Sequence, residues 1–138
     1  MIYALDTNII SYILRGDCEL KQRWKHEETQ GNKLVIPLIA YYEVKRGLIA
    51  VNSTNKLKAF EHICKRLKVI ELTVKEAQTA SYIYSKCKNN GRPIEDADLF
   101  IAAQCISNGY TLVTNNIKHF DYIDDLSIIN WVKETNLS

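Results

Sequence analysis

The segment Ile2-Tyr3-Ala4-Leu5, followed at once by Asp6, limits most strongly what this chain can fold into. A short apolar run with an acid directly behind it is typical of a buried strand that ends in a carboxylate. Residues 9–14 then show apolar side chains at helical spacing, and Gly16 follows as a stop signal. In open parallel sheets, ligands bind beyond the carboxyl ends of the strands, which is where Asp6 falls. Taken alone, Asp6 is explained equally well as a helix cap, so other acids have to decide.

Short apolar runs and helical patterns alternate along the rest of the chain. We predict further strands at 34–36, 69–72, 110–113 and 126–129, and helices at 19–28, 37–49, 54–67, 74–87 and within 94–109. This alternation predicts an α/β fold with a central, mostly parallel sheet of about five strands, flanked by helices on both faces. A length of 138 residues with no linker and no repeat fits a single domain, 1–138.

The composition narrows the class of protein. The hydrophobic fraction of 46% and the charged fraction of 25% are typical of a soluble protein, and no apolar run approaches the roughly 18 residues of a membrane span. The N-terminus reaches Asp6 too early for a secretory signal, which predicts a cytoplasmic location. The four cysteines are widely scattered, which argues against a zinc site. A net charge of +2 is too small to identify a nucleic-acid-binding protein by itself.

Two further acids are placed to join Asp6. Glu43 lies six residues beyond Pro37, roughly 9 Å along its helix, so its carboxylate can point back toward the strand end. Asp98 projects toward the apolar side of its helix, where an unpaired charge is expensive, so it needs a partner. Asp96 lies nearer the polar boundary and is explained more simply as a solvated or capping acid.

Polar residues also follow the fourth predicted strand. Thr114-Asn115-Asn116 come directly after it, at the position where strand ends gather polar groups, so the site can include amides. We expect His119, slightly further along, to be a surface residue rather than a base. Basic residues at Lys45-Arg46 and around Arg92 are explained first as solvated helix faces, and they matter only if they lie beside an acidic site.

Asp6, Glu43 and Asp98 come from three segments that converge near one edge of the predicted sheet. Their carboxylates would repel one another unless a cation lay between them. Oxygen ligands without nearby His or Cys favour Mg²⁺ or Mn²⁺, and such an ion suits the hydrolysis of phosphodiester bonds. Two other interpretations stay open: a binding module whose acids hold an arginine of a protein partner, and a DNA-directed nuclease on the same scaffold.

Four motifs in order resemble the PIN-domain family, and in particular VapC-type toxin ribonucleases of type II toxin-antitoxin systems. The motifs are Leu5-Asp6-Thr7-Asn8; Tyr42-Glu43-Val44; Gly91-Arg92-Pro93-Ile94 running into Asp98-Leu99-Phe100-Ile101-Ala102-Ala103; and Leu112-Val113-Thr114-Asn115-Asn116 with Phe120. The resemblance covers the whole chain. It implies a PIN-like fold and a metal-dependent endoribonuclease.

The resemblance also assigns residues to the site. It implies that Asp6, Glu43 and Asp98 bind Mg²⁺ or Mn²⁺, and that Asn116 takes the fourth catalytic position, where many relatives have an aspartate. The asparagine lowers the charge of the site by one. The resemblance implies supporting hydroxyls from Thr7 and Thr114, and we add Asn8, Asn115 and Asp96 as further supporting candidates. Residues expected to guide RNA phosphates are Lys45, Arg46 and Arg92. The expected partners are the RNA substrate, a cognate antitoxin and a second copy of the chain in a homodimer.

Overall fold

Five short strands form one parallel sheet in the computed structural model, which describes residues 1–132. The strands are β1 (Ile2–Leu5), β2 (Lys33–Pro37), β3 (Val69–Ile70), β4 (Thr111–Val113) and β5 (Ile128–Ile129). They lie in the order β3-β2-β1-β4-β5. Tyr3 of β1 is in register with Leu34 of β2 on one side and with Thr111 of β4 on the other. The N-terminal strand is therefore the centre of the sheet.

A pair of helices joins each of the first three strands to the next one along the chain. The helices are α1 (Thr7–Leu14), α2 (Cys18–Thr29), α3 (Leu38–Ala50), α4 (Thr54–Arg66), α5 (Val74–Asn89) and α6 (Asp96–Asn108), and a short 3₁₀ turn covers Ile117–His119. The helix α3 contacts α1, α4 and α6, while α5 packs mainly against α6. Within residues 1–132, none of the helices combines the length and the apolar character that crossing a bilayer requires.

The order of the strands reverses at β1. From β1 the chain extends the sheet through β2 and β3, and it then returns to place β4 and β5 on the opposite side of β1. The segments that follow β1 and β4 consequently run in opposite directions and leave a crevice at the carboxyl ends of these strands, which is where open α/β sheets bind ligands. Asp6 follows β1 and Thr114 follows β4, so both residues lie at this crevice.

The residues of β1 are buried on both faces of the sheet. Ala4 and Leu5 are completely covered, and Tyr3 is 7% exposed. Burial on both faces is expected for the central strand of a parallel sheet, and it holds the residue that follows β1 in a fixed position. Phe120 is also completely buried, and it anchors the 3₁₀ turn that precedes it.

The predicted α/β fold is confirmed, and the differences lie at the ends of elements. The strand predicted at 69–72 contains only Val69–Ile70, and the one predicted at 126–129 contains only Ile128–Ile129. Both are edge strands, which pair on one side only, so fewer hydrogen bonds extend them. Pro37, predicted in the first turn of a helix, is instead the last residue of β2 and the N-cap of α3, with an extended backbone at φ −60° and ψ 143°.

The Glu76 side chain joins the start of α5 to the end of α6 through hydrogen bonds. Its carboxylate accepts hydrogen bonds from the backbone N–H of Thr73 at 3.0 Å, from the hydroxyl of the same residue, and from the side-chain amide of Asn108 at 3.1 Å. The hydrogen bond from the Thr73 hydroxyl, the largest of these effects, lowers the pKa of Glu76 to about 2 although burial opposes it. The buried acid is thus a fixed negative charge at the junction of two helices.

Candidate active site

Asp6 is held at the end of β1 by three hydrogen bonds. Its Oδ1 accepts from the backbone N–H of Thr7 at 2.8 Å, and its Oδ2 accepts from the Thr114 hydroxyl at 2.7 Å and from the Asn8 side-chain amide at 3.0 Å. The residue is only 4% exposed. The bond from Thr7 makes Asp6 the N-cap of α1, so the capping role predicted for this residue is real.

Glu43 approaches Asp6 from α3. The hydroxyl of Thr7, the first residue of α1, donates to Oε1 of Glu43 at 2.9 Å. Thr7 therefore binds two acids at once, Asp6 through its backbone N–H and Glu43 through its hydroxyl. One turn further along α3, Nη2 of Arg46 lies 3.8 Å from Oε2 of Glu43. The spacing of the two carboxylates is set by a residue that contacts both of them.

Asp98 is in the first turn of α6, with 24% of its side chain exposed. Its Oδ2 lies 3.2 Å from Nδ1 of His119, at the end of the 3₁₀ turn. The turn is fixed by the buried ring of Phe120, which places the imidazole beside the carboxylate. Its position on the apolar side of the helix predicted that the Asp98 carboxylate needs a partner, and His119 is a side chain that contacts it. We expected this histidine at the surface, and its side chain is indeed 58% exposed, but it faces the site.

The three carboxylates line one cleft of about 410 Å³ at the carboxyl end of β1. Six of the predicted residues line this cleft: Asp6, Thr7, Asn8, Glu43, Asp98 and Asn116. The acids come from the end of a strand and from two different helices, as the sequence predicted. Their convergence concentrates negative charge in a partly enclosed space, where repulsion between carboxylates is weakly screened.

Burial and mutual repulsion disfavour the charged forms of two of these acids. Burial raises the pKa of Asp6 above its usual value; the hydrogen bonds from Thr114, Thr7 and Asn8 oppose this, and the charge of Glu43 adds to it. Burial also raises the pKa of Asp98, to which the charge of Asp6 adds, while His119 has the opposite effect. A cation in the cleft would relieve this repulsion.

A model of the PIN domain family matches residues 3–126, which is most of the chain. The chain belongs to the PIN domain family. It is 31% identical to ribonuclease VapC1 of Haemophilus influenzae over 134 residues, an alignment that covers 96% of this chain and all of that relative. A second relative, ribonuclease VapC2 of Rickettsia felis, is 29% identical over the same shares of the two chains.

Solved structures of similar proteins share the whole fold of this PIN domain. One is VapBC2 from Rickettsia felis bound to a DNA fragment from its promoter, with a TM-score of 0.86 and 29% identity. Another is VapBC-1 from nontypeable Haemophilus influenzae, with a TM-score of 0.81 and 30% identity. Each similarity covers 96% of this chain and 100% of the matched chain. The match therefore includes every element that contributes an acid to the cleft.

The loop after β4 in this PIN domain is tied to α1 by the predicted supporting residues. The backbone N–H of Asn115 donates to the side-chain oxygen of Asn8 at 2.9 Å, and the backbone N–H of Asn116 donates to the Thr114 hydroxyl at 3.0 Å. Thr114 itself is completely buried beneath Asp6. These hydrogen bonds hold the loop after β4 against the start of α1. The loop therefore positions Asp6 as well as Asn116.

Six predicted residues of this PIN domain do not line the cleft: Thr114 and Asn115 of the loop just described, and four charged residues. Asp96 is exposed on the first turn of α6. Lys45 lies over the Tyr41 ring, and Arg92 lies 4.1 Å from the ring centroid of Tyr122, beside a separate cavity. Arg46 is at the edge, beside Glu43. Of the basic residues predicted to bind RNA, Lys45 and Arg92 thus lie away from the acids, and Arg46 lies beside one of them.

The cleft also contains residues that the sequence analysis missed, namely Ser11, Tyr12, Arg15, Glu95 and His119. For three of them a signal existed. Ser11, Tyr12 and Arg15 stand three, four and seven residues beyond Asn8, which is the spacing of one helix face. His119 had no comparable signal, because its contact with Asp98 spans 21 positions and depends on where the 3₁₀ turn packs.

The three acids of this PIN domain present carboxylate oxygens to the cleft, and the imidazole of His119 lies beside them. Within residues 1–132, no group of three or more His, Cys, Asp or Glu side chains is placed so that it could hold a metal ion. Mg²⁺ keeps several of its waters when it binds, so carboxylates that share a cleft without touching suit it better than they suit zinc. What the cleft shares with sites for hard divalent ions is the chemistry of its carboxylate oxygens.

Proposed function

We propose that this PIN domain is a metal-dependent endoribonuclease that hydrolyses RNA phosphodiester bonds, and that it is the toxin of a type II toxin-antitoxin pair. Its relatives support the reaction, since proteins named ribonuclease VapC match it over nearly their full length. The observation that carries the proposal is the placement of Asp6, Glu43 and Asp98 around one cleft. No other arrangement of acids in the described residues combines burial, convergence and an open mouth.

In this proposal, Asp6, Glu43 and Asp98 hold Mg²⁺ or Mn²⁺, and Asn116 lies at the fourth position of the site. A bound ion of this kind polarises a phosphate and lowers the pKa of a coordinated water. Asn116 offers a neutral amide in place of a fourth carboxylate, which favours one tightly bound ion over two. Burial is the main cause of the raised pKa values of Asp6 and Asp98, repulsion from neighbouring carboxylates adds to it, and a bound cation would offset that repulsion.

Residues of the chain itself hold the acids in position. Thr114 and Asn8 donate to one oxygen of Asp6, and Thr7 fixes Glu43 relative to it. Hydrogen bonds to an ionised carboxylate favour the charged form, so these donors keep Asp6 ready to bind a cation despite its burial. Asp98 stays partly open to solvent and receives its support from His119. Asp98 and Glu43 each keep 24% of their side chains exposed, so both can be reached by a phosphate that enters the cleft.

We further propose two protein partners. The similar structures include proteins named VapBC, which supports a cognate antitoxin that binds this chain and blocks the acidic cleft. A second copy of the chain is the other expected partner. Besides Met1, five large apolar side chains are more than half exposed in the described residues and are available to a second copy: Tyr42, Ile49, Val51, Val74 and Tyr82.

The decisive experiment is a cleavage assay with purified protein on labelled RNA and on single-stranded DNA of the same sequence. We expect cleavage of RNA in Mg²⁺ or Mn²⁺ and none in EDTA. Asp6→Asn and Asp98→Asn should each abolish cutting, because each removes a charge from the cation site while preserving side-chain volume. Asp121→Asn, an exposed acid of the same type that does not line the cleft, is the matched control and should cut normally.

Three results would contradict the proposal. Cleavage that persists in both Asn variants would show that the acids are not needed. A protein that cuts DNA and leaves RNA intact would be a DNA-directed nuclease. Retention of a protein partner in EDTA, with no hydrolysis of either nucleic acid under any divalent ion, would identify the chain as a binding module instead.

A further inference from the structure

Arg15 is a cation at the mouth of the acidic cleft. It is the C-cap of α1, its side chain is exposed, and it lines the cleft together with Asp6 and Glu43. Across the described part of the chain, residues 1–132, it forms no salt bridge. An arginine keeps its charge at any working pH and presents five N–H donors, so this side chain is available to an anion that enters the cleft.

Tyr12 supports the guanidinium of Arg15. The Cζ atom of Arg15 lies 5.7 Å from the centroid of the Tyr12 ring, which is within reach of a cation–π contact. The Tyr12 hydroxyl accepts a hydrogen bond from the side-chain amide of Asn115 at 3.2 Å. Asn115 is in turn bonded through its backbone N–H to Asn8 of α1. The arginine is thus supported by the same loop that positions Asp6.

A second, smaller groove adjoins the cleft at Arg15. It measures about 160 Å³ and shares four residues with the cleft, namely Thr7, Ser11, Arg15 and Glu43. Lys56, an exposed residue in the first turn of α4, lines the far part of this groove. Two cations therefore lie on one continuous path that begins at the three acids.

We propose that single-stranded RNA occupies this groove, with backbone phosphates on Arg15 and Lys56 while the scissile phosphate lies at the acids. The assignment rests on the proposed ribonuclease function and names the path along which the substrate is held. Cations spaced along a groove are how proteins follow the phosphate backbone of a single strand, and Arg15 and Lys56 are spaced along this one. The planar fork of Arg15 can bind two oxygens of one phosphate.

The other basic residues considered for RNA are engaged elsewhere. Lys45 donates to the Tyr41 hydroxyl at 3.3 Å, and Arg92 covers the ring of Tyr122. Arg46 lies beside Glu43 and over the ring of Tyr42. Arg15 and Lys56 line the groove that leaves the cleft along α1, whereas Lys118 lines a separate groove that shares Glu95, Asp98 and His119 with the cleft.

The test measures binding of a short fluorescein-labelled single-stranded RNA by anisotropy, in protein that carries Asp98→Asn to prevent cutting. Arg15→Ala and Lys56→Ala should each weaken binding about tenfold, because each removes one charge-assisted phosphate contact. Each should also lower the slope of log affinity against log salt by about 0.7. Lys58→Ala is the matched control: it removes the same charge from α4 at an exposed position roughly 200° around the helix, and it should change neither quantity.

In protein with an intact Asp98, the same substitutions should raise KM for RNA cleavage and leave kcat nearly unchanged. Arg15→Lys should keep the salt slope, which separates loss of a charge from loss of folding, and thermal melting checks each variant. The proposal is overturned if Arg15→Ala and Lys56→Ala bind RNA like Lys58→Ala, or if they lose kcat alone. It is also overturned if they release only a protein partner. Absence of cleavage by the unmodified chain would instead refute the ribonuclease function.

Discussion

Asp6 combines two roles in one side chain. One oxygen caps α1 through the backbone of Thr7, and the other accepts hydrogen bonds from Thr114 and Asn8 while the residue lines the cleft. The sequence left the cap and the functional acid as alternatives, yet a carboxylate has enough acceptor sites for both. The capping hydrogen bond therefore fixes the orientation of the Asp6 carboxylate, which lines the cleft.

The contact between His119 and Asp98 predicts how the histidine contributes. His119→Ala removes the hydrogen-bond partner from Oδ2 of Asp98, so the carboxylate is no longer oriented, and RNA cleavage should fall by about 10-fold. His119→Asn places a donor near the position of Nδ1 and should recover part of the activity. Steady-state cleavage assays measure the effect. Equal loss in the Ala and Asn variants would contradict an orienting role for the histidine.

The raised pKa of Asp98 predicts a gain in stability when the charge is removed. Because burial and Asp6 raise the pKa from 3.8, the folded chain binds a proton more tightly than the unfolded one, and its stability falls as the pH rises from about 3.8 through the folded pKa. In EDTA at neutral pH, Asp98→Asn should therefore melt no lower than the unmodified chain.

Metal should act in the opposite direction. Mn²⁺ at about 100 times its dissociation constant should stabilise the unmodified chain by about 2.7 kcal/mol. Asp98→Asn should gain much less, whereas Asp121→Asn should gain as much as the unmodified chain. Thermal melts with and without Mn²⁺ measure all three proteins, and an equal shift in Asp98→Asn would remove this acid from the cation site.

At the scale of elements, α1 builds one side of the cleft. Its first residues hold Asp6 and Glu43, and its later residues Ser11, Tyr12 and Arg15 continue along the same face. The opposite face of the helix carries Ile9, Ile10 and Ile13, which are buried in the core. Because the apolar face is packed in the core, the polar face of α1 has one orientation. The same helix therefore positions the acids and places Arg15, its C-cap, at the mouth of the cleft.

The junction of α5 and α6 predicts an acid-sensitive step in stability. With a folded pKa of about 2 against an ordinary 4.5, ionised Glu76 stabilises the fold above about pH 4.5, and this contribution is lost as the pH falls toward 2. Glu76→Gln should lower the free energy of unfolding at pH 7 by about 1–2 kcal/mol and make the acid limb shallower. Urea titrations at several pH values measure this. Glu19→Gln, an exposed first-turn acid of α2, should change stability by less than about 0.5 kcal/mol.

At the scale of the whole molecule, the strand order creates the cleft. The first strand lies at the centre, and β4 joins it more than 100 residues later, so that Thr114 meets Asp6 across 108 positions. The acids therefore converge only when the sheet is complete. Any partly folded form that lacks β4 would leave Asp6 without Thr114 and Asn116, so the site forms together with the fold.

The exposed apolar side chains predict self-association. Light scattering coupled to size-exclusion chromatography should give a molar mass of about twice 15.9 kDa, since Val51, Val74 and Tyr82 are each more than 70% exposed in the isolated chain. The mass should stay the same in the Asp6→Asn and Asp98→Asn variants, whose changes lie inside the cleft. A mass that matches one chain across the usable concentration range would refute the homodimer.

The supporting role of Thr7 was implied only by the family resemblance, and Pro37 was predicted inside the helix that it caps. The sequence by itself determined the alternation of strands and helices, the three acids and the polar residues that follow the fourth strand. These features depend on local periodicity and on residues beside strand ends, which can be read from neighbouring positions. Only the tertiary structure decided that Arg15 and His119 line the cleft and Lys56 the adjoining groove, while Asp96, Lys45 and Arg92 line neither. The reason is physical: the direction of an exposed side chain depends on how its helix packs against elements far away in the chain, and the burial pattern of one helix does not contain that information.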